Sequence, residues 1–166
     1  MELEKRKIAY PKLSRIKHNC YYLGIIQNLY CGKEGEIAAF LQFNYQSNLL
    51  SPFGNDYSKI FARFAQDEVF HSILLSEILI SLGGDPVYAD NQGRWFSGRW
   101  VDYVKDIKQM LMLDIELKEK QIIEYKSAIS KIDDISIKQM LSAILKDEEA
   151  CCLELKRIKE SLTQKI

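Results

Sequence analysis

The chain has 166 residues, 47% of them hydrophobic and 28% charged, and its 23 basic and 23 acidic side chains cancel to a formal net charge of zero. That length suits a single domain over residues 1–166 with a sizeable core, and the neutral balance leaves no broad basic surface for nucleic acid. No apolar run approaches the roughly 18–20 residues needed to span a bilayer, and the charged start Met1–Lys7 leads into no apolar signal-type stretch, so no membrane partner is expected. Cys20, Cys31, Cys151 and Cys152 form no Cys-x-x-Cys pair, which argues against a zinc ribbon or rubredoxin-type iron site. Cysteines without framework spacing suit a reducing cytoplasm.

In chain order, residues 1–14 are polar, contain Pro11 and read as an extended arm. Apolar residues then recur over 15–31 (Ile16, Tyr21, Leu23, Ile26, Leu29), predicting a short helix stopped by Cys31-Gly32. A longer helix is predicted over 33–50, with the seam Glu36, Phe40, Phe43, Ser47, Leu50 in steps of three and four. After the turn Ser51-Pro52-Phe53-Gly54-Asn55, a helix over 56–82 carries the seam Phe61, Phe64, Glu68, His71, Leu75, Ile78, Leu82. Gly83-Gly84-Asp85-Pro86 ends it. Residues 84–100 show no periodicity. Extended, such a loop of roughly 17 residues reaches about 55 Å, more than the about 38 Å of a 25-residue helix. It therefore reads as a crossover joining two parallel helices, with Trp95, Phe96 and Trp100 holding it against the bundle. A helix over 101–130 follows, with the seam Val104, Ile107, Leu111, Ile115, Lys118, Ile122, Tyr125, Ile129. The last helix, 136–163, has the seam Ile137, Leu141, Ile144, Glu148, Cys151, Leu155, Ile158, Leu162. Two short turns around one long crossover predict an all-α, up-down-down-up four-helix bundle over 33–163, preceded by a short extra helix.

Each seam is apolar except near its middle, where it carries Glu36, then Glu68 and His71, then Lys118, then Glu148 and Cys151. A buried carboxylate is costly unless paired or bound to a cation. Glu-x-x-His projecting inward is a known device for a carboxylate-bridged metal site in a four-helix bundle. Four interruptions at matching height point to a functional polar centre.

The stretch Gly35-Glu36-Ile37-Ala38-Ala39-Phe40-Leu41-Gln42-Phe43 resembles the first bundle helix of bacterioferritins and of spore-coat, manganese-catalase-like proteins. Asp67-Glu68-Val69-Phe70-His71 with Leu82-Gly83-Gly84-Asp85-Pro86 resembles their second helix and its exit. Ile144-Leu145-Lys146-Asp147-Glu148-Glu149-Ala150-Cys151 resembles their fourth, whose pattern is Asp-Glu-Glu-x-His. The resemblance covers the chain from about residue 15 on. It implies the ferritin-like superfamily, which includes rubrerythrin, and a di-iron or di-manganese centre.

Two positions depart from that pattern: Lys118 stands where the third helix would supply a Glu, and Cys151 where the fourth would supply a His. By the resemblance, Glu36 and His71 are terminal ligands of one metal, and Glu68 and Glu148 are the bridges. Both departures then fall on terminal ligands of the other metal, leaving a degenerate site for one Fe, Mn or Zn ion. Charge agrees: three carboxylates balance one ammonium and one divalent cation. Glu116 or Glu119, flanking Lys118, could replace it as a ligand if the helix were rotated, and a thiolate Cys151 could bind a soft metal. Val69 stands where bacterioferritin has its haem-binding Met, so no haem is expected. The chain is expected to carry neither a fifth helix nor a rubredoxin module, hence to form no 24-subunit storage cage but a dimer or other homo-oligomer. Three functions stay open. One is a metal protein of oxidoreductase ancestry handling peroxide, oxygen or a single bound ion, although a two-electron peroxide cycle usually shares electrons between two metals. The second is a metal-free structural protein, spore-associated, with Lys118 in place of a metal. The third is a thiol sensor in which Lys118 favours the Cys151 thiolate.

Overall fold

The computed structural model describes residues 10–14, 16–53 and 56–163. The described residues form five α-helices and no strand: α1 (Cys20–Cys31), α2 (Glu36–Leu50), α3 (Asp56–Ser81), α4 (Ile107–Lys131) and α5 (Ile135–Thr163). Helices α2 to α5 are the four of the bundle. Helix α2 packs along α3 and α4 along α5, while α1 lies across α2, α3 and α4. None is long and apolar enough to cross a membrane.

Three helices start later than the periodicity predicts: α2 begins at Glu36, not 33, behind Gly35, which has no side chain to cap it, and for the other two side-chain caps are the reason. The short helix begins at Cys20, not near residue 15, because the Asn19 side chain accepts the Tyr22 N–H at 3.1 Å. Residues 10–14 of the expected arm have no regular structure, and the rest of it lies outside the described residues. Helix α4 begins at Ile107, not at 101, because Asp106 caps it through the Gln109 N–H at 3.0 Å. The preceding residues are engaged elsewhere. Gln42 brackets the Asp102 backbone, donating to its carbonyl at 3.1 Å and accepting its N–H at 2.6 Å. Tyr103 sits edge-on to Tyr45.

The crossover of residues 82–106 is pinned by its own polar contacts more than by its aromatics. The Gln27 amide donates to the carbonyls of Val87 and Ala89. The Asp90 carboxylate collects the N–H groups of Gln92 and Arg94 and the Arg94 guanidinium. Phe96 packs on the core and against Trp100. Trp95, expected to hold the loop to the bundle, is instead 72% exposed, and its backbone forms a single antiparallel bridge with Ala89.

Two apolar clusters fill the bundle, one at each end. One collects Leu75, Ile78 and Leu82 of the second bundle helix and its exit, Tyr125 and Ala128 of the third, and Ile137, Leu141 and Ile144 of the fourth. The other collects Phe43, Phe61, Phe64, Met110, Leu111, Ile115, Cys152 and Leu155. On α3, α4 and α5 the charged seam residues fall between the two sets, and on α2 Glu36 stands at the start of the helix.

Candidate metal centre

The bundle brings Glu36, Glu68, His71, Lys118 and Glu148 together, and all five side chains are at most 1% exposed. Glu36 comes from the first turn of α2, where its charge also suits the helix N-terminus. Glu68 and His71 lie one turn apart on α3 and so share a face. Lys118 comes from α4 and Glu148 from α5.

Lys118 Nζ sits between two carboxylates, 2.6 Å from Glu68 Oε1 and 2.5 Å from Glu148 Oε2. The same ammonium lies 5.4 Å from the centre of the Phe43 ring, within cation–π range. His71 Nδ1 is 2.9 Å from Glu148 Oε1 and 3.5 Å from Glu36 Oε2. The Tyr125 hydroxyl donates to Glu36 Oε1. On the outer edge of the imidazole, Nε2 faces Asp147 Oδ2 at 3.1 Å and the Tyr10 hydroxyl at 3.2 Å.

The pairings split the cluster in two. Lys118 and Tyr125 take one oxygen from each of the three glutamates. The remaining donors, Glu36 Oε2, Glu68 Oε2, Glu148 Oε1 and His71 Nδ1, have no hydrogen-bond partner among the described residues. The 2.9 Å approach of Nδ1 to Glu148 is therefore close without being directed. These four residues can each offer a ligand atom within 4.8 Å of the others. An orphaned buried acceptor costs roughly 1–3 kcal/mol, so four around one point form a set that a cation would satisfy. Three carboxylates and an imidazole fit a divalent ion of the Fe, Mn or Zn type.

Burial and charge set the protonation of the metal-free cluster. Burial alone would lower the His71 pKa, but Glu148 and Glu36 outweigh it and raise the pKa to about 10. Burial opposes the Lys118 ammonium as well, and Glu148 and Glu68 overcome it, so the lysine stays charged. Of the two carboxylates paired with Lys118, Glu148 is desolvated yet faces Lys118 and His71 and is held down at about 2. Burial and the neighbouring Glu148 charge push Glu68 well up. Burial likewise pushes the Cys151 thiol up, and Glu68 and Glu148 reinforce this against the opposing pull of Lys118.

Cys151 is partly buried beside this cluster, whereas Cys152 fills the core. Glu116 and Glu119 do not turn inward: they pair with Lys120 at 2.8 Å and Lys156 at 2.7 Å on the exposed surface. The seam register holds because only Lys118 among these residues continues the apolar stripe. Sequence reasoning assigned no role to Asp147, Tyr10 or the Tyr125 hydroxyl. Asp147 lies off the apolar seam and Tyr10 on the arm, so neither interrupts a helical pattern. A second buried polar pair was also missed: Gln46 donates to Asp114 Oδ1 at 2.8 Å, one turn from Lys118.

No protein-family model matches the chain, and no curated protein matches it either. Solved structures do. KatB, a manganese catalase from Anabaena, superposes with a TM-score of 0.84 at 17% identity, over 98% of this chain and 81% of its own. The bacterioferritin of Rhodobacter capsulatus gives a TM-score of 0.78 at 15% identity, over 90% of this chain and 89% of its own. The likeness is one of fold, and it makes this chain a ferritin-like four-helix bundle.

Proposed function

We propose that this protein holds one divalent metal ion on Glu36, Glu68, His71 and Glu148, with Lys118 fixed where a second ion would lie in a dinuclear ferritin-like site. The observation that carries this reading is the partition of the carboxylate oxygens. Glu68 and Glu148 each give one oxygen to Lys118 and leave the other unpartnered beside Glu36 Oε2 and His71 Nδ1. The four-residue donor set follows from that partition. A bound Fe or Mn ion would supply one-electron redox chemistry, and Zn a Lewis acid alone. The chain's own residues orient the carboxylates, carry the compensating charge on Lys118, and exclude water through the flanking apolar clusters.

The neighbours indicate which metals to try first. One is named a manganese catalase; the other is a bacterioferritin described with a metal-free dinuclear site and haem iron. Their names support an oxidoreductase ancestry in which this centre handles peroxide, oxygen or the ion itself. A metal-free structural protein is the second reading, favoured by the two ion pairs that Lys118 already makes. The raised Cys151 pKa weighs against a thiolate sensor.

Dialysis against Mn(II), Zn(II) or anaerobic Fe(II), followed by elemental analysis, separates these readings. One ion per parent chain is expected, and a content rising toward two in Lys118→Glu with Cys151→His. A parent that retains no metal supports the structural reading. A double variant binding no more than the parent removes the argument that Lys118 replaces an ion.

A further inference from the structure

We infer that Tyr10, on the arm ahead of α1, is a positioning residue for His71, holding the outer edge of the imidazole so that its inner nitrogen faces the carboxylate cluster. Its consequence for metal affinity rests on the metal-site reading above; the positioning itself does not.

Two oxygens converge on His71 Nε2: Asp147 Oδ2 at 3.1 Å and the Tyr10 hydroxyl at 3.2 Å. Tyr10 also donates its hydroxyl proton to that same Asp147 oxygen. The phenol thus ties the carboxylate to the ring nitrogen, and the three groups close a small triangle. With Nε2 donating outward, Nδ1 is the nitrogen turned to the interior carboxylates, and it gives up its proton when an ion binds. Asp147 needs such a tie because its side chain is 21% exposed, whereas His71 is 1% exposed.

The arm is built to bring the hydroxyl there. The Tyr10 ring sits edge-on to Phe70, with centroids 5.1 Å apart. Tyr10, Leu13 and Ile16 pack against the apolar cluster nearest α1. The Ser14 N–H donates to Ser136 Oγ at 2.9 Å, fastening the arm to the start of α5. The arm, Tyr10 included, also forms one wall of a groove of about 510 Å³ over Leu74, Ile80 and Met140.

Tyr10→Phe keeps the ring contact with Phe70 and removes only the hydroxyl. The test uses the full-length, metal-free, 15N-labelled chain and follows the His71 Nε2–H resonance. His18, the only other histidine, is exposed, so the slowly exchanging ring proton is assignable. In Tyr10→Phe, exchange of that proton should accelerate about tenfold or more while the thermal midpoint barely moves. Titration with Co(II), whose visible bands report its ligands, should then show affinity falling roughly 10–100-fold, the usual effect of losing an outer hydrogen bond to a ligating histidine. Unchanged Nε2–H exchange overturns the inference, whatever the midpoint does. A parent that binds no Co(II) counts against the metal-site reading alone, and the exchange measurement still decides the role of Tyr10.

Discussion

A fully buried lysine would ordinarily lose its proton, because burial disfavours the ammonium. Lys118 keeps it because Glu148 and Glu68 each place an oxygen within 2.6 Å. Lys118→Met would remove the cation and leave both carboxylates buried and uncompensated. We expect a loss of roughly 3–5 kcal/mol in urea unfolding of the metal-free protein, partly recovered on adding Mn(II) or Zn(II). A loss below about 1 kcal/mol would mean that the carboxylates do not depend on Lys118. Asp114, one turn earlier, gives a pH-dependent prediction. Burial raises its pKa from 3.8 to about 7, against the hydrogen bonds of Gln46 and Gln42 and the charge of Lys118. Well below pH 3.8 the group is protonated in both folded and unfolded chains. As pH rises toward 7 the unfolded chain releases its proton first, so the unfolding free energy falls, by up to about 4 kcal/mol. Asp114→Asn retains a partner for Gln46 and cannot ionise. Its stability advantage over the parent should therefore open between pH 4 and 7 and stay level above; a difference that does not vary with pH contradicts this. Glu36, Glu68, His71, Lys118 and Glu148 were legible in the sequence because each interrupts an apolar seam. Asp147 and Tyr10 were not. Asp147 lies off the seam, and Tyr10 reaches His71 and Asp147 across 61 and 137 positions in the chain, a distance at which no local pattern operates.

At the level of elements, the seams located all the helices of the bundle, but not every end. Periodicity reports which face is buried. Two of the late starts, at Cys20 and Ile107, follow an Asn or Asp whose side chain takes a backbone N–H; the third, at Glu36, follows Gly35. The exit of α3 shows the converse, a stop that was legible. Gly83 has φ +85°, the left-handed conformation that glycine adopts cheaply. The Gly84 N–H then returns to the Leu79 carbonyl at 2.9 Å. Gly83→Ala should destabilise the protein by roughly 1–2 kcal/mol, since a Cβ there is strained and would also displace His18. Gly24→Ala, within α1 and with no atom within 4 Å of the new Cβ, should instead stabilise it by roughly 0.4–1 kcal/mol. Thermal unfolding of the two variants should move in opposite directions, and a common sign would contradict this account of both positions.

In the whole molecule, an apolar cluster at each end of the bundle encloses a charged layer that contributes little to hydrophobic stability. Such a layer, built from every helix of the bundle, is the expense of a site rather than a packing solution. The packing of this layer was readable from matching seam heights. Its division into a lysine half and an open half was expected from the departures at Lys118 and Cys151, but which oxygen of each carboxylate faces which partner was not legible. That division is best tested by anomalous diffraction from crystals of the parent protein soaked in Mn(II) or Zn(II). One anomalous peak per chain is expected, within bonding distance of Glu36, Glu68, His71 and Glu148, with Lys118 still bridging Glu68 and Glu148. Two peaks about 3.5–4 Å apart, with Lys118 displaced, or no peak among these residues, would contradict the one-ion centre.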